Sequence, residues 1–264
     1  MNIFIREMKA HRKSLIIWGI SIMFMVVAGM AKYTVISSGD SMNELMNSMP
    51  KGLQAIMGGG AIDLTKASGF YGMLFLYLVL MAAVHAAMLG ADIISKEERD
   101  KTFEFLMVKP VSRKTIITFK LLAALANLII FNIINLVFSI MIVNQYAKGE
   151  SVNGDIAILM MGMFILQLIF FFIGTSIAAV SKNPKTSTSL STGILLATFI
   201  LSIIIDLNDK LINLKYLTPF KYYEAKNLMY GGGLKPVFLI LSLVIIGVLF
   251  LATYRFYEKR DLNV

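Results

Sequence analysis

The chain has 264 residues, 57% of them hydrophobic, with 25 Lys and Arg against 16 Asp and Glu, a net charge of +9 and no cysteine. A mean hydropathy of +0.74, with charges bunched between long uncharged runs, excludes an ordinary soluble domain. The lack of cysteine excludes disulfides and thiolate metal sites, and the basic balance does not call for nucleic acid, because in a membrane protein the position of Lys and Arg matters more than their sum.

A membrane span needs roughly 20 mostly apolar residues to cross a hydrocarbon core of about 30 Å. Six segments qualify, over residues 14–35, 67–94, 116–147, 155–181, 186–206 and 236–257. So little sequence lies outside them that residues 1–264 read as a single all-α membrane domain, a polytopic helix bundle with six transmembrane helices.

Before the first span stand Arg6, Lys9, Arg12 and Lys13. The apolar run that follows is too long for a signal-peptide core and has no A-x-A-like cleavage site, so it is expected to stay as the first helix. Phe4, Met8 and His11 form a weak apolar stripe. That suits a short helix lying in the membrane interface ahead of the span, or a basic tail.

Between the first two spans, Met42, Leu45, Met46 and Met49 recur at helical spacing, Pro50 interrupts them, and Leu53, Ile56 and Met57 resume before Gly58, Gly59 and Gly60. Two short amphipathic helices are predicted there. No Gly-Lys-Ser/Thr follows the glycines, so they are not a phosphate loop.

The second span carries His85, an intramembrane ionisable group whose readings are a functional role or a neutral ring hydrogen-bonded between helices. After it comes the charged stretch from Asp92 to Lys114. Thr102 to Val108 reads as a short helix with Phe103, Leu106 and Met107 beside Glu104; Pro110 stops it, and Ser112 is placed to cap the next helix. Such a helix is too apolar to float and too charged to span, which points to docking on a partner.

In the third span Asn132 and Asn135 suggest interhelix hydrogen bonds. Short polar links, 148–155 and 182–185, make the third, fourth and fifth spans antiparallel neighbours. Phe170, Phe171 and Phe172 run round more than one face of the fourth span and cannot form one aromatic box. Along the fifth span Thr188, Ser191, Thr198 and Ser202 share a face with Leu195, either lining a path or dimer seam or packing closely against another helix. Residues 206–235 are aromatic and amphipathic, with Tyr216, Phe220, Tyr223 and Tyr230. Short helices in the outer leaflet are predicted there, with Gly231 to Gly233 freeing the chain to enter the last span.

Six spans place both termini and the loops at 92–120 and 182–185 on one side, which holds 15 Lys and Arg and every arginine of the chain, leaving aside Lys120 at a boundary. The other side holds nine lysines. The positive-inside rule makes the first side cytoplasmic.

The pattern Glu97-Glu98-Arg99-x-x-Thr102-x-Glu104-x-Leu106-x-x-x-Pro110-Val111-Ser112-Arg113, followed by Lys120-Leu121, resembles the signature of ABC-2 type transporter permeases. Leu45-x-x-x-Met49-Pro50-x-x-Leu53 and Leu217-Thr218-Pro219-Phe220-x-Tyr222 agree with it, so the resemblance covers nearly the whole chain. Lys101 departs from it, standing where the family often has glycine.

The resemblance implies a permease subunit of an ATP-driven exporter, with two such subunits, identical or related, paired with two ABC ATPase subunits in a bacterial plasma membrane. Residues Glu97, Glu98, Arg99, Thr102, Phe103, Glu104, Leu106, Pro110 and Arg113 would form a cytoplasmic coupling helix and its flanks. No cofactor would be bound directly; ATP and Mg would sit on the partner, since the chain has no G-x-x-x-x-G-K-[ST]. Cargo would be amphipathic or hydrophobic: an antimicrobial or toxin peptide, a drug or a lipid-linked molecule. The competing classes are an intramembrane enzyme, for which no nucleophile stands in a Gly-x-Ser-x-Gly turn, and a non-transporting sensor or scaffold that couples to an ATPase.

Overall fold

The structure, a computed structural model, describes residues 3–36, 48–50, 62–100, 112–181 and 183–259. Long apolar runs without internal proline give six long helices: α1 (Ile3–Ile36), α2 (Ala67–Arg99), α3 (Arg113–Tyr146), α4 (Asn153–Val180), α5 (Pro184–Leu207) and, after a short α6 (Ala225–Met229), α7 (Pro236–Lys259). All six long helices are apolar enough to cross a bilayer, and no strand occurs among the described residues. The short helices predicted over residues 42–57 and 102–108 fall, but for 48–50, outside the described residues.

Helices α2 and α4 form the centre. About three-fifths of their most apolar windows is buried, 61% and 56%, against 22%, 22% and 17% for α1, α5 and α7. They approach closely because small residues face one another. A β-carbon added at Gly90 of α2 would lie 2.2 Å from the Phe171 carbonyl oxygen, and one at Gly174 of α4 would lie 2.4 Å from that of Ala87. Ala82, Ala83, Ala86, Ala87 and Ala91 complete the smooth α2 face. Without a hydrophobic drive between helices in lipid, such backbone proximity supplies the packing energy. The remaining helices lean on this pair: α1 against α2 and α3, α5 against α2 and α4, α7 against α4 and α3.

Polar side chains stitch the bundle at mid-depth. Asn132 Nδ2 donates to Gln167 Oε1, and Gln167 Nε2 donates to the Ala82 carbonyl at 3.2 Å, so α3, α4 and α2 share one chain of bonds. One helical turn away, Tyr71 pairs its hydroxyl with Ser139 at 2.8 Å, and Ser139 donates to Asn135 at 3.2 Å. Asn135 also donates to Met163 Sδ of α4 at 3.8 Å, so both asparagines make the interhelix contacts their spacing suggested.

At 1.5 Å per residue, α1, α2 and α3 are each about 50 Å long and overrun a bilayer core of about 30 Å. Their surplus is the charged end that carries both termini, called the terminal face below. Residues 3–13 do not form a separate interfacial helix ahead of the span; they belong to the uninterrupted α1. No glycine or proline precedes Gly19 to break it, and Glu7 and His11, 2% and 5% exposed, are packed against the bundle rather than laid on the interface.

On the opposite face, residues 206–235 form two 3-10 turns (Asp209–Leu217 and Pro219–Lys221) and α6. The predicted short helices are present, yet Phe220, Tyr222 and Tyr223 turn into the bundle instead of outward. Phe220 sits 5.2 Å from the rings of both Phe170 and Phe199, and Tyr222 stacks on Phe238 at 4.9 Å. Lys221 is buried between Asp206 and Glu224. Burial, then the neighbouring Tyr223, pushes the Tyr222 phenol up to about 12, so it stays a neutral donor to the Tyr216 carbonyl. Gly232 and Gly233 take φ of +86° and +87°, a turn open to glycine, which brings the chain back into α7.

Candidate functional site

Two features of the terminal half stand out. The first is a buried charge cluster at the ends of α1, α2 and α3. Helix α2 continues to Arg99, so Glu97 lies in its last turn, one turn beyond Ile93 on the inward side. Arg6 of α1 donates to Glu97 Oε1 at 2.7 Å and to Glu7 at 2.8 Å. Lys120 of α3 pairs with Glu97 Oε2 and donates to the Ile93 carbonyl at 2.7 Å. The Lys120 and Glu97 side chains are 1% and 7% exposed. A buried pair of this kind is strong only because each charge has further partners, and removing one partner leaves the other stranded in a low-dielectric site.

Arg99, by contrast, lies at the surface, where its guanidinium meets Asp92 at 2.6 Å and Asp100 at 3.3 Å. Glu98 beside it is half-buried. At the start of α3, Ser112 caps the helix as its position predicted, accepting from the Thr115 N–H at 3.2 Å. Arg113 donates to the Glu258 carbonyl of α7 at 3.1 Å, Lys114 meets the Glu258 carboxylate at 3.3 Å, and Thr118 pairs with Tyr254 at 2.8 Å. The segment between Asp100 and Ser112 therefore hangs from two helix ends that are tied to α1, to each other and to α7. Thr102, Phe103, Glu104, Leu106 and Pro110 lie outside the described residues.

The second feature is a cleft of about 460 Å³ between α1, α2 and α5. Its rim on the terminal side carries His11, Lys13, Asp92, Lys96 and Arg99. Its inner end carries Trp18, Met88, Leu89 and His85. His85 is 1% exposed, its ring 5.6 Å from Trp18 and 4.8 Å from Phe131, and neither ring nitrogen has a hydrogen-bond partner among the described residues. The interhelix hydrogen bond offered as one reading of His85 is therefore not formed there.

The fifth-span stripe divides. Thr188 lines the cleft with His85. Ser191, Thr198 and Ser202 do not; each hydroxyl donates back to its own helix, to Ser187 at 2.7 Å, Leu195 at 2.8 Å and Phe199 at 2.6 Å. Ser191 and Ser202 are buried as small packing residues, and the Thr198 carbonyl accepts from Thr218 at 2.8 Å. Sequence reasoning passed over Arg6, Glu7, Lys120 and Trp18 as site residues. A lone lysine one residue before a 27-residue uncharged run, Leu121–Ala147, was the available signal for Lys120.

Six membrane-length helices, buried polar contacts across the helix seams and a charged face at one end define a polytopic helical membrane protein. The chain belongs to the ABC-2 family transporter proteins, whose profile matches residues 1–262. It is thus a multi-pass permease subunit of an ABC transporter, a class that associates with ABC ATPase subunits. No curated protein matches the chain.

Proposed function

We propose that this chain is the permease half of an exporter, with its terminal face in the cytoplasm, and that the charge cluster around Glu97 carries the ATPase stroke into the membrane. The observation behind this reading is the double hold on Glu97 by Arg6 and Lys120. A partner ATPase supplies ATP hydrolysis. Its closure pushes on residues 100–112, where Thr102, Phe103, Glu104, Leu106 and Pro110 form the docking element. The end of α2 and the start of α3 move together because Glu97 joins them, and Arg6 and Arg113 extend that unit to α1 and α7. Helix α5 packs on α2 and α4 away from the Glu97 cluster. The stroke therefore changes the cleft between α1, α2 and α5, as rigid helices tilt between two arrangements. A second copy or a related permease completes the complex. The cargo is amphipathic or hydrophobic: an antimicrobial or toxin peptide, a drug or a lipid-linked molecule.

Co-purification with the candidate ATPase, followed by ATP hydrolysis assays, tests this. Glu104→Ala is expected to weaken ATPase association. Glu97→Gln is expected to leave association intact while cargo no longer stimulates hydrolysis. If no ATPase co-purifies with the unaltered chain, the reading fails.

A further inference from the structure

The cleft between α1, α2 and α5 combines features that together specify a ligand. Its rim has more positive than negative charge. Arg99 and Asp92 neutralise one another at 2.6 Å, and His11 lies 4.0 Å from Asp92. Lys13 and Lys96, on α1 and α2, have no ion-pair partner among the described residues. Eleven residues of α2 separate Lys96 from His85, about 16 Å along the helix axis. Over that distance the lining changes from ammonium groups to Ile17, Met88 and Trp18. At the deep end His85 presents two nitrogens that are buried and unbonded.

We propose that this cleft binds an anionic amphiphile drawn from the adjoining membrane leaflet, with its headgroup between Lys13 and Lys96 and its chain running inward along Ile17 and Met88 to Trp18 and His85. The proposal rests on the cleft being the cargo path and gives that cargo a charge and an orientation. A volume of about 460 Å³ suits one such molecule, being within the usual range for small-ligand sites of about 300–1,000 Å³. The electrostatics select the headgroup: two ammonium groups near the membrane surface favour an anion and oppose a cation.

Trp18 is the chain's single tryptophan, so its fluorescence reports on the inner end of the cleft. The full-length chain in zwitterionic nanodiscs is titrated with ω-bromododecanoate, whose bromine quenches indole at contact. The neutral ω-bromododecanol and a bromododecyl trimethylammonium serve as comparison probes. Saturable quenching by the anion, relieved by unbrominated dodecanoate, is expected. Lys13→Gln with Lys96→Gln should raise the half-saturation concentration by about tenfold or more, equivalent to about 1.4 kcal/mol, and should leave the neutral probe unchanged. Both lysines are solvent-accessible, so the paired variant tests charge without disturbing the core. Quenching that merely follows bilayer loading and is not relieved by dodecanoate overturns the site. A preference for the cationic probe, or no response to the lysine substitutions, overturns the headgroup assignment. Neither result bears on ATPase co-purification, which tests the permease reading separately.

Discussion

Glu97 shows why residue identity without rotational position is an incomplete guide. Sequence pattern put it in one charged string with Glu98 and Arg99. Its position one turn after Ile93 aims it instead at Lys120 and Arg6, while Arg99 stays at the rim with Asp92. The rotation of α2 about its axis, set by the small-residue contact with α4 about two turns before Glu97, makes that division. Lys120→Met strands a buried carboxylate with a single remaining cation, and should lower stability by about 3–5 kcal/mol. Glu97→Gln combined with Lys120→Met removes the charges together and should cost clearly less. Thermal unfolding of the detergent-solubilised singles and double reads the coupling; additive losses would show that the pair is not a unit. His85 was conspicuous in the sequence as a titratable group in a span. Its lack of a partner was not legible, because that depends on Trp18 and Phe131, which arrive from α1 and α3.

Among the elements, length and apolar content alone made the long helices recognisable. Uncharged runs have no other way to satisfy their backbone groups in lipid. What those runs do not encode directly is which helix takes the centre. Gly90 and Gly174 carry that information in the α2–α4 contact, where the facing backbones leave no room for a β-carbon. Gly174→Val should therefore sharply reduce the yield of monodisperse protein in size-exclusion chromatography. Gly193→Ala in α5, where an added β-carbon meets nothing within 4 Å, should behave like the parent. Equal behaviour of the two would contradict the close α2–α4 crossing. The 206–235 stretch carries a similar lesson. Its aromatic residues matched a headgroup-seeking segment in composition, but Phe170, Phe199 and Phe238 provide rings for them to pack on, and packing prevailed.

Across the whole molecule, the proposed placement of the terminal face in the cytoplasm rests on the charge asymmetry, and the cysteine-free sequence makes it easy to test. With a membrane-impermeant maleimide on intact cells, Glu150→Cys, exposed on the opposite face, should label. Asn183→Cys, exposed on the terminal face, should label only after the membrane is opened. The reverse pattern would invert the topology and with it the docking side. The broad architecture and the family were readable from hydropathy and a handful of loop residues. The proposed coupling route was not, because it joins Arg6, Glu97, Lys120 and Glu258, which are distant in sequence and meet only once the helices are packed.

The most direct test of that route is the accessibility of Met88→Cys, at a partly exposed position on the cleft wall, measured by site-resolved maleimide labelling of the permease–ATPase complex. ATP trapping should change its labelling rate by about tenfold in the presence of Glu97, the size of a modest population shift, and should leave it nearly constant in Glu97→Gln. An equal change in both proteins, or none in either, would contradict transmission through Glu97.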